Sequence, residues 1–235
     1  MSLTPIPKRA QHSWEIIERI AIVESDEPLQ VVPTTVNLKP FPFYFANDVA
    51  HAIDICVARY SVIKRLQQAA DLLPKHLGIV VLDGWRSREV QQAVQDEVGD
   101  IIKAMYPQLS ASEHQQLLAQ FVAPVRAGFI SPHLTGGSVD ITLFDRATGE
   151  WLDMGSEFDE PTERSHTHFY EAQPEHVACH NRRLLYSVMT QVGFTNLPTE
   201  WWHFDYGNPL WASYNQQNHA IYGAAHWEFA EVASV

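Results

Sequence analysis

At 235 residues, 46% of them hydrophobic, the chain is long enough to bury a sizeable core. Its 28 acidic against 16 basic residues leave a net charge of −12, which excludes a nucleic-acid backbone as partner because that needs clustered Lys and Arg. No run is long and apolar enough to span a membrane, and two cysteines are too few for a disulfide framework.

Cys56 and Cys179 read as reduced thiols. Met1–Trp14 has basic residues but no apolar signal core. Together these predict a cytoplasmic protein. Residues 1–14 are expected to form a flexible or loosely packed segment. No Gly/Ser tract, repeat or low-complexity run divides the rest, so 1–235 reads as a single domain of the α+β class.

The first element in chain order is a helix near Val57–Leu73, followed by an apolar strand, Gly78–Asp83. Helices are expected near Arg88–Ala104 and Ala111–Gln120. Val139–Phe144 alternates as a strand. It points Val139, Ile141 and Leu143 at a core and Asp140 and Thr142 the other way. A helix near Pro174–Gln191 stops close to Gly193. The last strand runs from His203 to Tyr206.

Two segments carry the chemistry. Ser131-Pro132-His133-Leu134-Thr135-Gly136-Gly137-Ser138-Val139-Asp140 comes first, and Glu200-Trp201-Trp202-His203 comes later. They supply two imidazoles and a carboxylate that could hold a metal, plus a spare carboxylate that could act on water. Three protein ligands leave a fourth tetrahedral position open, as in catalytic zinc sites. On one helix, His133 and Asp140 would stand about 10 Å apart along the axis, too far to share an ion. A bend at Thr135-Gly136-Gly137, where glycine accepts positive φ, can bring them together. Glu200 and His203 are three apart and so cannot share the face of a regular strand. Glu200 is therefore expected on a loop and His203 on the strand. Each residue also has a plain reading, as turn chemistry, a solvated charge or a core aromatic. On pattern alone both readings stay open.

These residues resemble the D-alanyl-D-alanine dipeptidases, within a zinc peptidase group that includes D-Ala-D-Ala carboxypeptidases and lysostaphin-like endopeptidases. The group's marker, SxHxxGxAxD followed by ExxH, is matched by SPHLTGGSVD and EWWH. Asp83-Gly84-Trp85-Arg86 is similar to the family's DGYR segment. Asp153–Asp159 and Glu163-Arg164-Ser165-His166 resemble its MGxxFD and ERSH segments, and Asn181-Arg182-Arg183 and Gly193-Phe194 also match in order. The resemblance spans residues 40 to 215.

It implies one Zn2+ per chain, held by His133, Asp140 and His203 on a mainly antiparallel sheet with helices packed on it. It implies Glu200 as general base and Arg86 as stabiliser of the transition state. Asp159 would hold the substrate's ammonium group, with Ser131 and Tyr44 in the substrate pocket. The implied activity is hydrolysis of D-Ala-D-Ala and related D,D-dipeptides. The implied partner is a small dipeptide, with no nucleic acid or membrane involved and assembly into a homo-oligomer left open.

The chain departs from the family pattern at Trp85 for Tyr, Ser87 for Pro, Ser138 for Ala, and at Pro132 and Leu134 for more polar residues around His133, which puts the pocket's shape in doubt. A carboxypeptidase or peptidoglycan endopeptidase is the rival enzyme, and a zinc-stabilised binding module the non-enzyme rival. His166-Thr167-His168 is metal-like in spacing but is expected to be a polar loop.

Overall fold

The computed structural model describes residues 3–228. Its centre is a five-stranded sheet of β1 (Leu38–Pro40), β2 (Leu77–Asp83), β3 (Ser138–Asp145), β4 (Thr195–Asn196) and β5 (His203–Asp205), in the order β1-β2-β3-β5-β4. Only β1 on β2 is parallel; the other pairings are antiparallel, as expected for this α+β chain. The main helices are α1 (Tyr60–Leu72), α2 (Arg88–Met105), α3 (Ala111–Phe121) and α4 (Val177–Gln191).

One sheet face buries Ile79, Val81, Val139, Ile141 and Leu143 beneath α1 and α4, which add Val62, Leu66, Leu185 and Val188. Strict alternation along β3 produces this face. The other face carries Asp140 and Thr142, and these are buried too. It is covered by other parts of the chain, including the Phe158 region and the Tyr44, Val90 and Val94 cluster built around α2 and α3. That double cover turns a polar sheet face into an enclosed site.

Two element boundaries differ from expectation. Val57–Arg59 is a strand paired antiparallel with Leu29–Val31, and the helix starts only at Tyr60. Val57 and Ala58 are fully buried, and Arg59 donates from Nε to the Thr135 carbonyl. Those distant partners overrode a local helical pattern. The fourth helix starts at Val177 rather than Pro174, because the His176 side chain caps it by accepting the Ala178 N–H.

Within the first 14 residues, expected to pack loosely, Ile6 is buried and donates its N–H to Glu171. Trp14 is buried against Phe129 and donates its indole N–H to the Ala119 carbonyl at 2.7 Å. Among the described residues no helix is long and apolar enough to cross a membrane.

Leu66 is fully buried between α1 and the sheet. Leu66→Ala should cost about 2–5 kcal/mol of stability, read as a lowered midpoint in urea unfolding.

Candidate active site

The turn that joins the two halves of the first motif is a short 3-10 segment, His133–Thr135. Gly136 ends it at φ +69°, and a Cβ there would come within 2.3 Å of Leu29 Cδ2, so only glycine fits. The Thr135 hydroxyl accepts the Gly137 N–H at 2.9 Å and tightens the bend. His133 is thereby folded back over the start of β3.

His203 opens β5, directly opposite Asp140 on β3. Three contacts close a triangle: His133 Nε2 to His203 Nδ1 at 3.2 Å, His203 Nδ1 to Asp140 Oδ1 at 3.2 Å, and His133 Nε2 to Asp140 Oδ2 at 3.4 Å. Ligands about 2.1 Å from a tetrahedral zinc lie about 3.4 Å from each other, so this donor set fits zinc with one position left over. Among the described residues it is the only such His/Cys/Asp/Glu group found.

Hydrogen bonds and charge around the donors set the state of each. His133 Nδ1 lies 2.8 Å from the Gly84 carbonyl, which can only accept. The proton therefore sits on Nδ1, and Nε2 turns its lone pair into the triangle. Burial disfavours charge on Asp140, yet the flanking His133 and His203 hold its carboxyl well below the usual carboxylate range. Burial likewise opposes a proton on His203, but Asp205 and Asp140 push its pKa well up. Metal binding there must release a proton.

Glu200 lies on the loop before β5, as its spacing from His203 required. The Asn196 amide pins that loop by donating to the Glu200 and His203 carbonyls at 2.9 and 3.0 Å. The Glu200 carboxylate stops 3.7 Å from His203 Nδ1, beside the triangle and outside it. Burial pushes its pKa well above that of an ordinary glutamate.

Arg86 follows β2 and is buried. Its guanidinium donates to Asp83 at 2.9 Å, Gln91 at 3.2 Å, Tyr44 at 3.0 Å and Asp140 at 3.3 Å. The Tyr44 hydroxyl in turn donates to Asp159 at 2.6 Å. Asp159 is held in the left-handed region at φ +58°, a strained backbone for a residue other than glycine. Burial, and then the charge of Asp140, push its carboxyl up to about 6.

Arg86, Tyr44, Asp159, Glu200 and the three candidate ligands share one cavity of about 30 Å3. Ser131 does not line it; it is buried just before the turn, where its carbonyl accepts the Leu134 N–H. His166 and His168 sit with ring centroids 6.2 Å apart, and among the described residues they belong to no metal-like cluster.

The sequence reading missed the groups that hold this arrangement. Asp83 braces both Arg86 and His133, and Gln91 braces Arg86 from α2. Asp205 braces His203 at 3.0 Å. Two of them had a usable signal: Asp83 opens the Asp83–Arg86 motif, and Asp205 is two residues from His203 on a strand, and therefore on the same face. Trp14, from the segment expected to be loose, lines the cavity.

The profile of the D-Ala-D-Ala dipeptidases, Peptidase M15, matches residues 46–222, which contain every residue of this site but Tyr44 and Trp14. The chain belongs to that family. The D-alanyl-D-alanine dipeptidase of Synechocystis sp. is 32% identical over 224 residues, covering 85% of this chain and 90% of its own. The D-alanyl-D-alanine dipeptidase of Enterococcus faecium is 30% identical, covering 71% and 77%. A vancomycin resistance D,D-pentapeptidase, VanY, solved in complex with Zn(II), aligns with a TM-score of 0.45 at 16% identity, covering 88% of this chain and 97% of that one.

The purified chain should carry one zinc. His133→Ala opens the ligand triangle and should lose it, so elemental analysis should find close to none. Full zinc in that variant would remove His133 from the ligand set.

Proposed function

We propose that this chain is a zinc-dependent D,D-dipeptidase that hydrolyses D-alanyl-D-alanine and related D,D-dipeptides. The observation that carries the reading is a single small cavity. It has His133, Asp140 and His203 on one side with Glu200 beside them, and the Arg86–Tyr44–Asp159 chain on another. Membership of the dipeptidase family supports the substrate class.

Zinc held by the two histidines and Asp140 would supply a Lewis acid that polarises the scissile carbonyl and brings the attacking water's pKa down towards about 7. Glu200 takes that water's proton and later passes it to the leaving amine. Its burial suits the work, since a carboxyl with a raised pKa holds an accepted proton more firmly until it can be passed on. Arg86 presents its guanidinium to the negative charge that develops on the tetrahedral carbon's oxygen. Such a donor is typically worth about 3–4 kcal/mol in the transition state. Asp159 pairs with the free ammonium of the substrate, with Tyr44 holding its carboxylate in place.

The cavity is small. At about 30 Å3 it is an order of magnitude below the roughly 300–1,000 Å3 of common ligand pockets, so a wall must move even for a dipeptide. Cys56 and Cys179 are free and buried, in keeping with action in the reducing cytoplasm.

Glu200→Ala should retain zinc, because three ligands remain, while turnover falls by about 10²–10⁴. Loss of the metal in that variant would make Glu200 a ligand instead.

Substrate length is the decisive test. N-acetyl-D-Ala-D-Ala removes the charge that Asp159 would meet and adds bulk where the cavity closes. The wild-type chain should cleave D-Ala-D-Ala and barely touch the acetylated form or a tripeptide. Comparable rates on both would favour the carboxypeptidase reading. No turnover of any peptide by the zinc-loaded chain would favour a binding module.

Asp159 also predicts a pH dependence. Its carboxyl protonates as pH falls through about 6, so its hold on the ammonium weakens below that point. KM for D-Ala-D-Ala should rise as pH drops from 7 to 5, and Asp159→Asn should flatten that rise. A KM that stays level in the wild type would remove the pairing.

A further inference from the structure

Asp205 is completely buried, and neither the ligand triangle nor the catalytic groups include it. Its Oδ1 accepts three hydrogen bonds: from Ser138 Oγ at 2.6 Å, from Asn208 Nδ2 at 2.7 Å and from His203 Nε2 at 3.0 Å. Its Oδ2 has no partner among the described residues. A fully buried carboxylate with an idle oxygen is costly unless positive charge stands nearby to offset it.

The two residues that hold Asp205 are themselves fixed. Ser138 faces Asp205 directly across the β3–β5 ladder, two pairs along from Asp140 and His203 and so on the same face. Asn208 donates to Ser138 Oγ at 2.8 Å as well as to Asp205. Its own Oδ1 accepts the Trp211 N–H and so caps the helix Pro209–Tyr214. Ser138 stands where the group's marker has Ala, and an Ala could not make the 2.6 Å bond.

We infer that Asp205, held by Ser138 and Asn208, is a positioning residue for the metal site: it keeps the His203 Nε2–H pointed away from the triangle so that Nδ1 presents its lone pair to the ion. An imidazole has two nitrogens, and the hydrogen bond made by one decides what the other offers. With Nε2 committed to Asp205, only Nδ1 is left to face Asp140 and His133. The carboxylate also makes the ring a stronger donor. The serine gives this chain a support that the marker's small alanine lacks.

The inference rests on the zinc site of the proposed function, not on its substrate, so its test is metal binding without peptide. Zinc affinity is measured by chelator competition on the wild type, Asp205→Asn and Ser138→Ala. The visible absorption of the Co2+-loaded proteins and the melting temperature of the metal-free proteins are measured alongside. Asp205→Asn should bind zinc about 10–100-fold more weakly, as loss of such outer partners typically does, and should shift the Co2+ band. Ser138→Ala should lose about 2–10-fold, the equivalent of one hydrogen bond. Wild-type affinity and an unshifted Co2+ band in Asp205→Asn, with only the melting temperature lowered, would make Asp205 a packing residue and overturn the proposal. Should Asp205→Asn fail to fold, Ser138→Ala decides, and unchanged zinc affinity there overturns it equally.

Discussion

The site depends on the register of β3 against β5. The pairs Asp140–His203 and Ser138–Asp205 sit opposite each other on one face of adjacent antiparallel strands. A slip of one residue in either strand would turn that strand's two side chains to the other face, against α1 and α4, and part them from their partners. The apolar residues between them enforce the register: Val139 and Phe204 are paired and fully buried on the core side. The packing that holds the sheet together thus also aims the ligands. On the other flank of β3 a register shift between Val81 and Asp83 sets Asp83 opposite Asp140, where plain alternation would have put Leu82. The irregularity brings a brace for Arg86 and His133 onto the site face.

The second constraint is charge. Asp140, Glu200 and Asp205 are buried close together with the half-buried Asp83 and Asp159, and Arg86 is the one guanidinium hydrogen-bonded among them. Isolated buried carboxylates cost several kcal/mol each, so this cluster is poorly balanced by protein groups alone. A dication at the triangle and an ammonium at Asp159 would redress it from both ends. The same imbalance explains the opposite shifts within the site. Asp140, flanked by imidazoles, is held as a carboxylate, while Asp159 and Glu200, further from positive charge, are pushed towards their neutral forms.

Three departures from the family pattern, Trp85, Ser87 and Ser138, fall outside the ligand triangle, and the structure gives each of them a use. Ser87 accepts the Val90 N–H at 3.3 Å and caps α2, a role the family's proline could not fill with its side chain. Trp85 turns its indole N–H to the Ala225 carbonyl at 2.9 Å, which ties the strand end that carries Arg86 to the C-terminal segment. Ser138 bonds Asp205. All three changes adjust the supports of the reacting groups and leave those groups in place.

The local chemistry was legible in the sequence. Alternation in Val139–Leu143 marked a strand with Asp140 off the core side, the glycines marked the bend beside His133, and the three-residue spacing put Glu200 off the strand that holds His203. These follow from backbone geometry within a few residues, which needs no distant partner. Only the tertiary structure decided which remote groups meet. It made a strand of Val57–Arg59 because Leu29–Val31 lies beside it. It carried Trp14 to the cavity from a segment whose composition suggested looseness, and it placed Ser131 outside the cavity lining. It also chose Asp83, Gln91 and Asp205 as braces. Asp83 reaches His133, and Ser138 reaches Asp205, between parts of the chain far apart in sequence, and no local spacing encodes those meetings.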